Sequence, residues 1–427
     1  MLSRREFLAT SSLAAAGTAC TSGRAATADD NLADSIANLE SMSELATPIS
    51  ADERRGRIEK ARRLMRANSL SGMMLTGGTS LEYFTGVRWG LSERLFAVIL
   101  PISAQPFVVT PAFEEERTRE QLALGPLDST EVLAWEEHES PYRLVAGGLR
   151  ARGLSTGRLG IEETVRFTFS DRVGTAAPAL TLASATPVTA GCRTVKDAHE
   201  LELMRLASTV TLKAYEAAYH ALDEGMTQND FRNLVSTAHQ RLGFAGGAGV
   251  QVGEFSALPH GSVTPQVIRE GSILLIDGGC GVEGYRSDIS RTFVLGRPSD
   301  KMKRVFEIEL EAQTAALRAA RPGVECQAVD AAARRVIVDA GYGPDYTYFT
   351  HRVGHGMGMD GHEWPYLVRG NTLPLAPGMT FSDEPGIYLP GEFGVRLEDD
   401  MVITEDGAEL MTPQSPSLED PFGTVSA

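Results

Sequence analysis

The sequence predicts two folded domains in tandem: a smaller α/β domain, then an α+β domain. Three observations carry that reading. The chain has 427 residues with 42% apolar side chains, enough for two full-sized cores. Between about 51 and 190, short apolar runs alternate with helical stretches, the pattern of an α/β unit. From about 195 to 415, long amphipathic helices are interleaved with strand-and-turn segments, the pattern of helices backing an antiparallel sheet.

The first 25 residues stand apart from the fold. Ser3-Arg4-Arg5-Glu6-Phe7-Leu8 carries a twin arginine, and the mildly apolar run Leu8 to Ala19 is too short to span a bilayer. The pattern is that of a twin-arginine export signal, which implies a protein exported after folding to the periplasm. Gly17-Thr18-Ala19-Cys20 resembles a lipoprotein box, so Cys20 is a candidate lipid anchor, with Ala25-Ala26 as an ordinary cleavage site otherwise. Residues 26–50, rich in Ala, Ser, Asp and Thr, read as a linker.

The 51–190 domain opens with a predicted helix at 51–68, whose Ile58, Ala61, Leu64 and Met65 share a face. Strands follow at 73–76, 96–100 and 106–110, with helices near 112–124 and 140–152. In the 195–415 domain a long helix fits 197–223. Thr227-Gln228-Asn229-Asp230 resembles a capping box that opens a second helix to about 242. Helices at 300–320 and 327–340 end before Gly323 and Gly341. Strands are expected at 272–277, 286–295, 349–355, 378–389 and 394–404.

Composition excludes some functions. A net charge of −16 argues against a nucleic-acid binder that relies on broad electrostatics. Besides Cys20 there are Cys192, Cys280 and Cys326, an odd number with no CxxC pair, so neither a disulfide framework nor a thiolate zinc site is expected.

Five ligand-type side chains lie between residues 277 and 398: Asp277, Asp288, His355, Glu384 and Glu398. Four carboxylates and an imidazole are the hard, oxygen-rich set that suits a pair of divalent ions about 3.5–4 Å apart. Each segment alone also has a plainer reading. Asp277 and Asp288 flank a glycine-rich turn, where aspartates commonly serve the turn itself. His355 sits in Val353-Gly354-His355-Gly356-Met357-Gly358, where glycines allow close approach of backbone or ion. Glu384 precedes Pro385, and Arg396 and Glu398 share one strand face, an arrangement that a surface ion pair would also explain. Jointly the balance shifts, because four of the eight histidines (His260, His351, His355, His362) fall among these segments.

Together, Asp277…Asp288, Gly354-His355-Gly356-Met357-Gly358, Asp383-Glu384-Pro385-Gly386 and Arg396-Leu397-Glu398-Asp399 resemble the pita-bread metallopeptidases of family M24. Within that family the Xaa-Pro peptidases, prolidase and aminopeptidase P, are the nearest match, over roughly residues 50–412. Leu81-Glu82-Tyr83-Phe84-Thr85-Gly86 and Ser92-Glu93-Arg94 are similar to runs in the creatinase-like N-terminal domain of those enzymes. The implied fold is therefore an α+β pita-bread catalytic domain preceded by a smaller α/β creatinase-like domain.

The resemblance implies two metal ions, with Mn²⁺ expected and Co²⁺ or Zn²⁺ as alternatives. Asp277 would hold one, His355 and Glu384 the other, and Asp288 and Glu398 would bridge. It further implies that Glu384 is the general base, that His260 and His362 contact substrate and stabilise the oxyanion, and that Arg396 contacts substrate or its carboxylate. Glu254-Phe255, upstream of His260, depart from the usual small polar run of the family. The implied substrates are proline-containing peptides: Xaa-Pro dipeptides first, longer Xaa-Pro peptides second. A homodimer is implied by resemblance alone. A metal-free creatinase-like C–N hydrolase or an inactive binding protein is the rival of another class, disfavoured because all five ligand positions carry ligand-type residues.

Overall fold

The computed structural model describes residues 32–423. The twin-arginine segment, Cys20 and the first residues of the expected linker lie outside the described residues. From residue 32 onward that segment is not a loose tether. Ile36 and Ile49 are buried, the Ser35 hydroxyl donates to the Ala217 carbonyl, and the Met42 amide donates to the Leu242 carbonyl. Its few apolar side chains, scattered among polar ones, dock it on the helices that follow, which a composition-based reading cannot register.

In the first lobe, the helix Ala51–Ala67 opens with a Ser50/Glu53 capping box and buries Ile58, Ala61 and Met65. A six-stranded mixed sheet is built from β1 (Gly72–Leu75), β2 (Ala97–Pro101), β3 (Phe107–Pro111), β4 (Glu131–Trp135), β5 (Gly157–Ile161) and β6 (Leu180–Ser184). The spatial order is β4-β3-β2-β1-β5-β6, with β1, β2 and β3 antiparallel and both flanks parallel. The first three strands are buried along their whole length, so their sequence is apolar but for Thr110. The flanking strands β4 to β6 are only partly buried and mix polar with apolar residues, and sequence reading missed them.

The second lobe has two halves, each of two helices followed by antiparallel strands. The first half contains helices Ala198–Tyr219 and Gln228–Arg241, then β7 (Gly246–Val252), β8 (Ile273–Val282), β9 (Tyr285–Arg286) and β10 (Ile289–Val294). The expected capping box forms: the Thr227 hydroxyl accepts from the Asp230 amide, and the Asp230 carboxylate accepts from the Thr227 amide. The second half contains helices Asp300–Ala319 and Cys326–Asp339. After them come β11 (Gly354–Gly356), β12 (Glu363–Leu367), β13 (Thr380–Asp383), β14 (Gly386–Leu389), β15 (Phe393–Arg396), β16 (Asp399–Ile403) and β17 (Ala408–Leu410). The sheets order as β10-β8-β7 and β12-β11-β13-β16-β17, and a bridge between Ser290 and Glu398 joins them.

Three expected strands are corrected. Of 349–355 only Gly354 and His355 pair, in the strand Gly354–Gly356, because the Phe349 and His351 carbonyls are taken by the Arg334 guanidinium instead. The 378–389 run breaks at Glu384-Pro385, since proline cannot donate to a ladder, and its halves join different sheets. The 394–404 run breaks at Leu397-Glu398 for the same exchange of partners.

Candidate metal centre

Each of the five ligand-type residues reaches one cavity from its own segment. Asp277 lies mid-strand in β8, opposite Gly249 of β7 and Ser290 of β10. Asp288 precedes β10 with the parity of Ser290, so its side chain turns to the same face. His355 is the centre of β11. Its flanking glycines are obligatory: a Cβ on Gly354 would stand 2.0 Å from the Ser382 carbonyl oxygen, and one on Gly356 2.5 Å from that of Glu363. Glu384 follows β13, and Glu398 sits in the break between β15 and β16, where its amide donates to the Ser290 carbonyl.

Their donor atoms form overlapping triads. Asp277, Asp288 and Glu398 make one; His355, Glu384 and Glu398 make another; Asp288, His355 and His362 make a third. Within each triad the donors lie within 4.8 Å of one another. His355 Nε2 is 3.1 Å from Glu384 Oε1 and 3.9 Å from Asp288 Oδ2. His355 Nδ1 lies 3.1 Å from the Gly356 carbonyl, which can only accept, so Nδ1 carries a proton. In the neutral ring Nε2 then offers its lone pair to the cavity, the tautomer that a metal ligand requires.

The electrostatics favour a cation. Burial first, then the charges of Asp277 and Glu384, push Asp288 well above the ordinary carboxylate range. Burial and then Asp288, Glu384 and Asp277 do the same to Glu398. Burial would also raise Glu384, but the His355 hydrogen bond and the charges of His355, His351 and Arg396 hold it down at about 2. Arg396 is ion-paired with Asp277 at 2.7 Å, and one guanidinium cannot offset four carboxylates. A partly buried set of four carboxylates and one imidazole nitrogen fits divalent ions by donor chemistry and by unbalanced charge.

The cavity measures about 470 Å³, and its lining also includes Gln251, His260, His351, Arg352, His362 and Arg396. The structure thus brings every sequence-predicted site residue to one wall or another of it. His260 and His362 are exposed at its mouth. The His362 ring stacks on His355 with centroids 3.8 Å apart, and its Nδ1 accepts from Arg352 Nη2 at 3.2 Å. Burial, then the neighbouring His355, lowers the His362 pKa, so the ring is neutral with its proton on Nε2.

Arg396 differs from expectation in its availability. Nε donates to Ser290 Oγ, Nη1 to the Pro259 carbonyl and Tyr388 Oη, and Nη2 to Asp277. Four of its five N–H groups are thereby engaged by the protein itself.

Three residues escaped the sequence reading. Ser290 Oγ lies 3.0 Å from Asp277 Oδ1 and 2.6 Å from Glu398 Oε2, and it accepts from Arg396 Nε. Tyr388 Oη donates to His351 Nε2 at 2.8 Å while accepting from Arg396. Arg352 enters the cavity beside His362. A serine at the parity of Asp277's partner was the only available signal for the first. Nothing in the sequence singled out the other two.

Residues 57–195 match the creatinase/prolidase N-terminal domain, and residues 202–405 match metallopeptidase family M24. The chain is 37% identical to the probable dipeptidase PepE of Mycobacterium tuberculosis over 79% of this chain and 89% of that protein. It is 33% identical to the Xaa-Pro dipeptidase of Lactobacillus helveticus, over 80% of this chain and 92% of that one. Among solved structures, the dipeptidase PepE from Mycobacterium ulcerans superposes with a TM-score of 0.81 at 34% identity, covering 87% of this chain and 99% of that chain. A recombinant prolidase from Thermococcus sibiricus superposes with a TM-score of 0.77 at 30% identity, covering 86% and 98%.

Proposed function

The chain belongs to metallopeptidase family M24, and from that membership and the site geometry we propose that it is a two-metal Xaa-Pro dipeptidase. The observation that carries this reading is the convergence of five ligand-type side chains on overlapping triads in one cavity, with His362 stacked on His355. The curated relatives named as Xaa-Pro dipeptidases support the substrate class.

Asp277 would hold one ion, His355 and Glu384 would hold the other, and Asp288 and Glu398 would be shared between them; Mn²⁺ suits this carboxylate-rich set best, with Co²⁺ and Zn²⁺ as alternatives. When bound, the ions supply a water-derived nucleophile at neutral pH and draw electron density from the scissile carbonyl. Glu384, a carboxylate at neutral pH, takes the proton of the attacking water and passes it to the departing secondary amine nitrogen of proline. His362 donates from Nε2, because Nδ1 already accepts from Arg352, and so stabilises the developing oxyanion. His260, exposed at the cavity mouth, assists in holding the substrate. Arg396 and Ser290 hold Asp277 in place.

The test is proline release from Gly-Pro, Ala-Pro and longer Xaa-Pro peptides, after chelation and after return of Mn²⁺, Co²⁺ or Zn²⁺. Metal-dependent turnover that favours dipeptides is expected. Turnover that survives complete chelation, or cleavage of non-proline bonds alone, would overturn the proposal.

The proposal extends to export by the twin-arginine route, with lipidation of Cys20, and to a homodimer. Ser3-Arg4-Arg5-Glu6-Phe7-Leu8 and Gly17-Thr18-Ala19-Cys20 support the first, and the family resemblance supports the second. Mass spectrometry of the mature N-terminus and sedimentation equilibrium test them.

A further inference from the structure

Two arginines line the catalytic cavity, and they differ in what they have left to give. Arg396 is buried, paired with Asp277 and engaged at four of its five N–H groups. Arg352 is half-buried, and its contacts leave its charge unmet. Its guanidinium carbon lies 4.2 Å from the Tyr366 ring centroid, and Nη2 donates to His362 Nδ1. Among the described residues no carboxylate is paired with it.

The position is also fixed. Arg334 donates to the carbonyls of Phe349 and His351 at 2.8 and 2.7 Å, which pins the chain just before Arg352. Tyr366, the platform under the guanidinium, is the ladder partner of His355. The cation therefore stands on the same wall as His355, separated from it by the stacked His362 ring.

We propose that Arg352 is the carboxylate anchor of the substrate and the residue that favours dipeptides over longer chains. This rests on the Xaa-Pro dipeptidase reading. In a dipeptide the C-terminal carboxylate lies one residue beyond the scissile carbonyl, about 3.3–3.6 Å further along the chain. A planar guanidinium held on an aromatic face meets a carboxylate with two parallel N–H···O bonds. A longer peptide places a neutral amide there, and the guanidinium keeps an unanswered charge.

The experiment compares kcat/KM for Ala-Pro and Ala-Pro-amide in wild type, Arg352→Met and Arg352→Lys. Calorimetric binding of L-proline and L-prolinamide to the metal-loaded proteins runs alongside. Wild type should prefer the acid over the amide by roughly 10- to 100-fold, the worth of a charge-assisted hydrogen bond. Arg352→Met should abolish that ratio, and Arg352→Lys should restore part of it. A general disturbance of His362 would lower both substrates together and leave the ratio unchanged; that result overturns the proposal. If wild type cleaves no Xaa-Pro peptide, the functional reading falls and calorimetry alone decides the anchor. Proline bound by wild type and not by Arg352→Met sustains it; equal binding, or none by either protein, overturns it.

Discussion

Replacing Ser290 by alanine removes one hydroxyl from the point where the two sheets of the second lobe meet. That oxygen accepts from Arg396 Nε at 2.9 Å and lies 2.6 Å from Glu398 Oε2 and 3.0 Å from Asp277 Oδ1. Ser290 and Arg396 are both buried, so water does not readily take the place of the lost partner. A hydrogen bond to a charged group contributes about 1.5–3 kcal/mol, and the stranded Arg396 Nε–H sets the cost of Ser290→Ala in that range. For a domain of this size the corresponding fall in Tm is about 3–12 °C, measured by calorimetry in chelator. Asp277 and Glu398 also lose a shared tether, so metal affinity should weaken by roughly 10- to 100-fold, as when other partners that orient ligands are removed. Activity at limiting Mn²⁺ should fall and recover with excess metal. An unchanged Tm together with unchanged metal affinity would refute the reasoning.

Three further outcomes are expected. Glu384→Gln preserves shape and should fold, while kcat for Ala-Pro falls by about 10²- to 10⁴-fold, the usual worth of a general base; near-wild-type kcat would remove Glu384 from that role. Gly354→Ala puts a Cβ 2.0 Å from the Ser382 oxygen and should destabilise the second lobe and weaken metal binding together, whereas Gly361→Ala, where a Cβ meets nothing within 4 Å, should do neither. Near the junction of the two lobes, His199 faces Glu53 Oε1 through Nδ1 and the Thr47 carbonyl through Nε2, so the ring is held as imidazolium. The Glu53 hydrogen bond, foremost, raises His199 above its ordinary 6.5. Burial opposes it, yet the bonds from Ser50 and His199 hold Glu53 down at about 2 rather than 4.5. The His199 contribution is therefore full below 6.5 and lost as pH rises through its folded value; the Glu53 contribution is full above 4.5 and lost toward 2. His199→Gln should cost about 0.2–1 kcal/mol near pH 5.5 and less at pH 9, read from urea unfolding at each pH; a cost that grows with pH contradicts the pairing.

Much of this molecule was legible in its sequence. The helices at 51–67, 228–241, 300–319 and 326–339 announce themselves by period and by caps, both local properties. The buried strands β1 to β3 are apolar but for Thr110, and the five ligand-type residues stand out because carboxylates and an imidazole are costly in apolar strands unless something pairs with them. The partly buried strands β4 to β6 lack such contrast with solvent, and the docked 32–50 segment holds too few apolar residues to signal its packing.

The sequence by itself determined the two-domain order, the helices and the chemical identity of the candidate ligands, because each depends on neighbours a few residues away. Only the tertiary structure decided which partners those ligands have. Ser290 meets Glu398 across 108 residues and Arg396 across 106, and no local pattern encodes a contact of that span. The break at Glu384-Pro385 sends one run of chain into two sheets, which a continuous apolar pattern conceals. The same holds for the two cavity arginines. They look alike in sequence, and only the contacts around them leave Arg352 with charge to spare and Arg396 with little, because a side chain's free hydrogen-bonding capacity belongs to its surroundings and not to its identity.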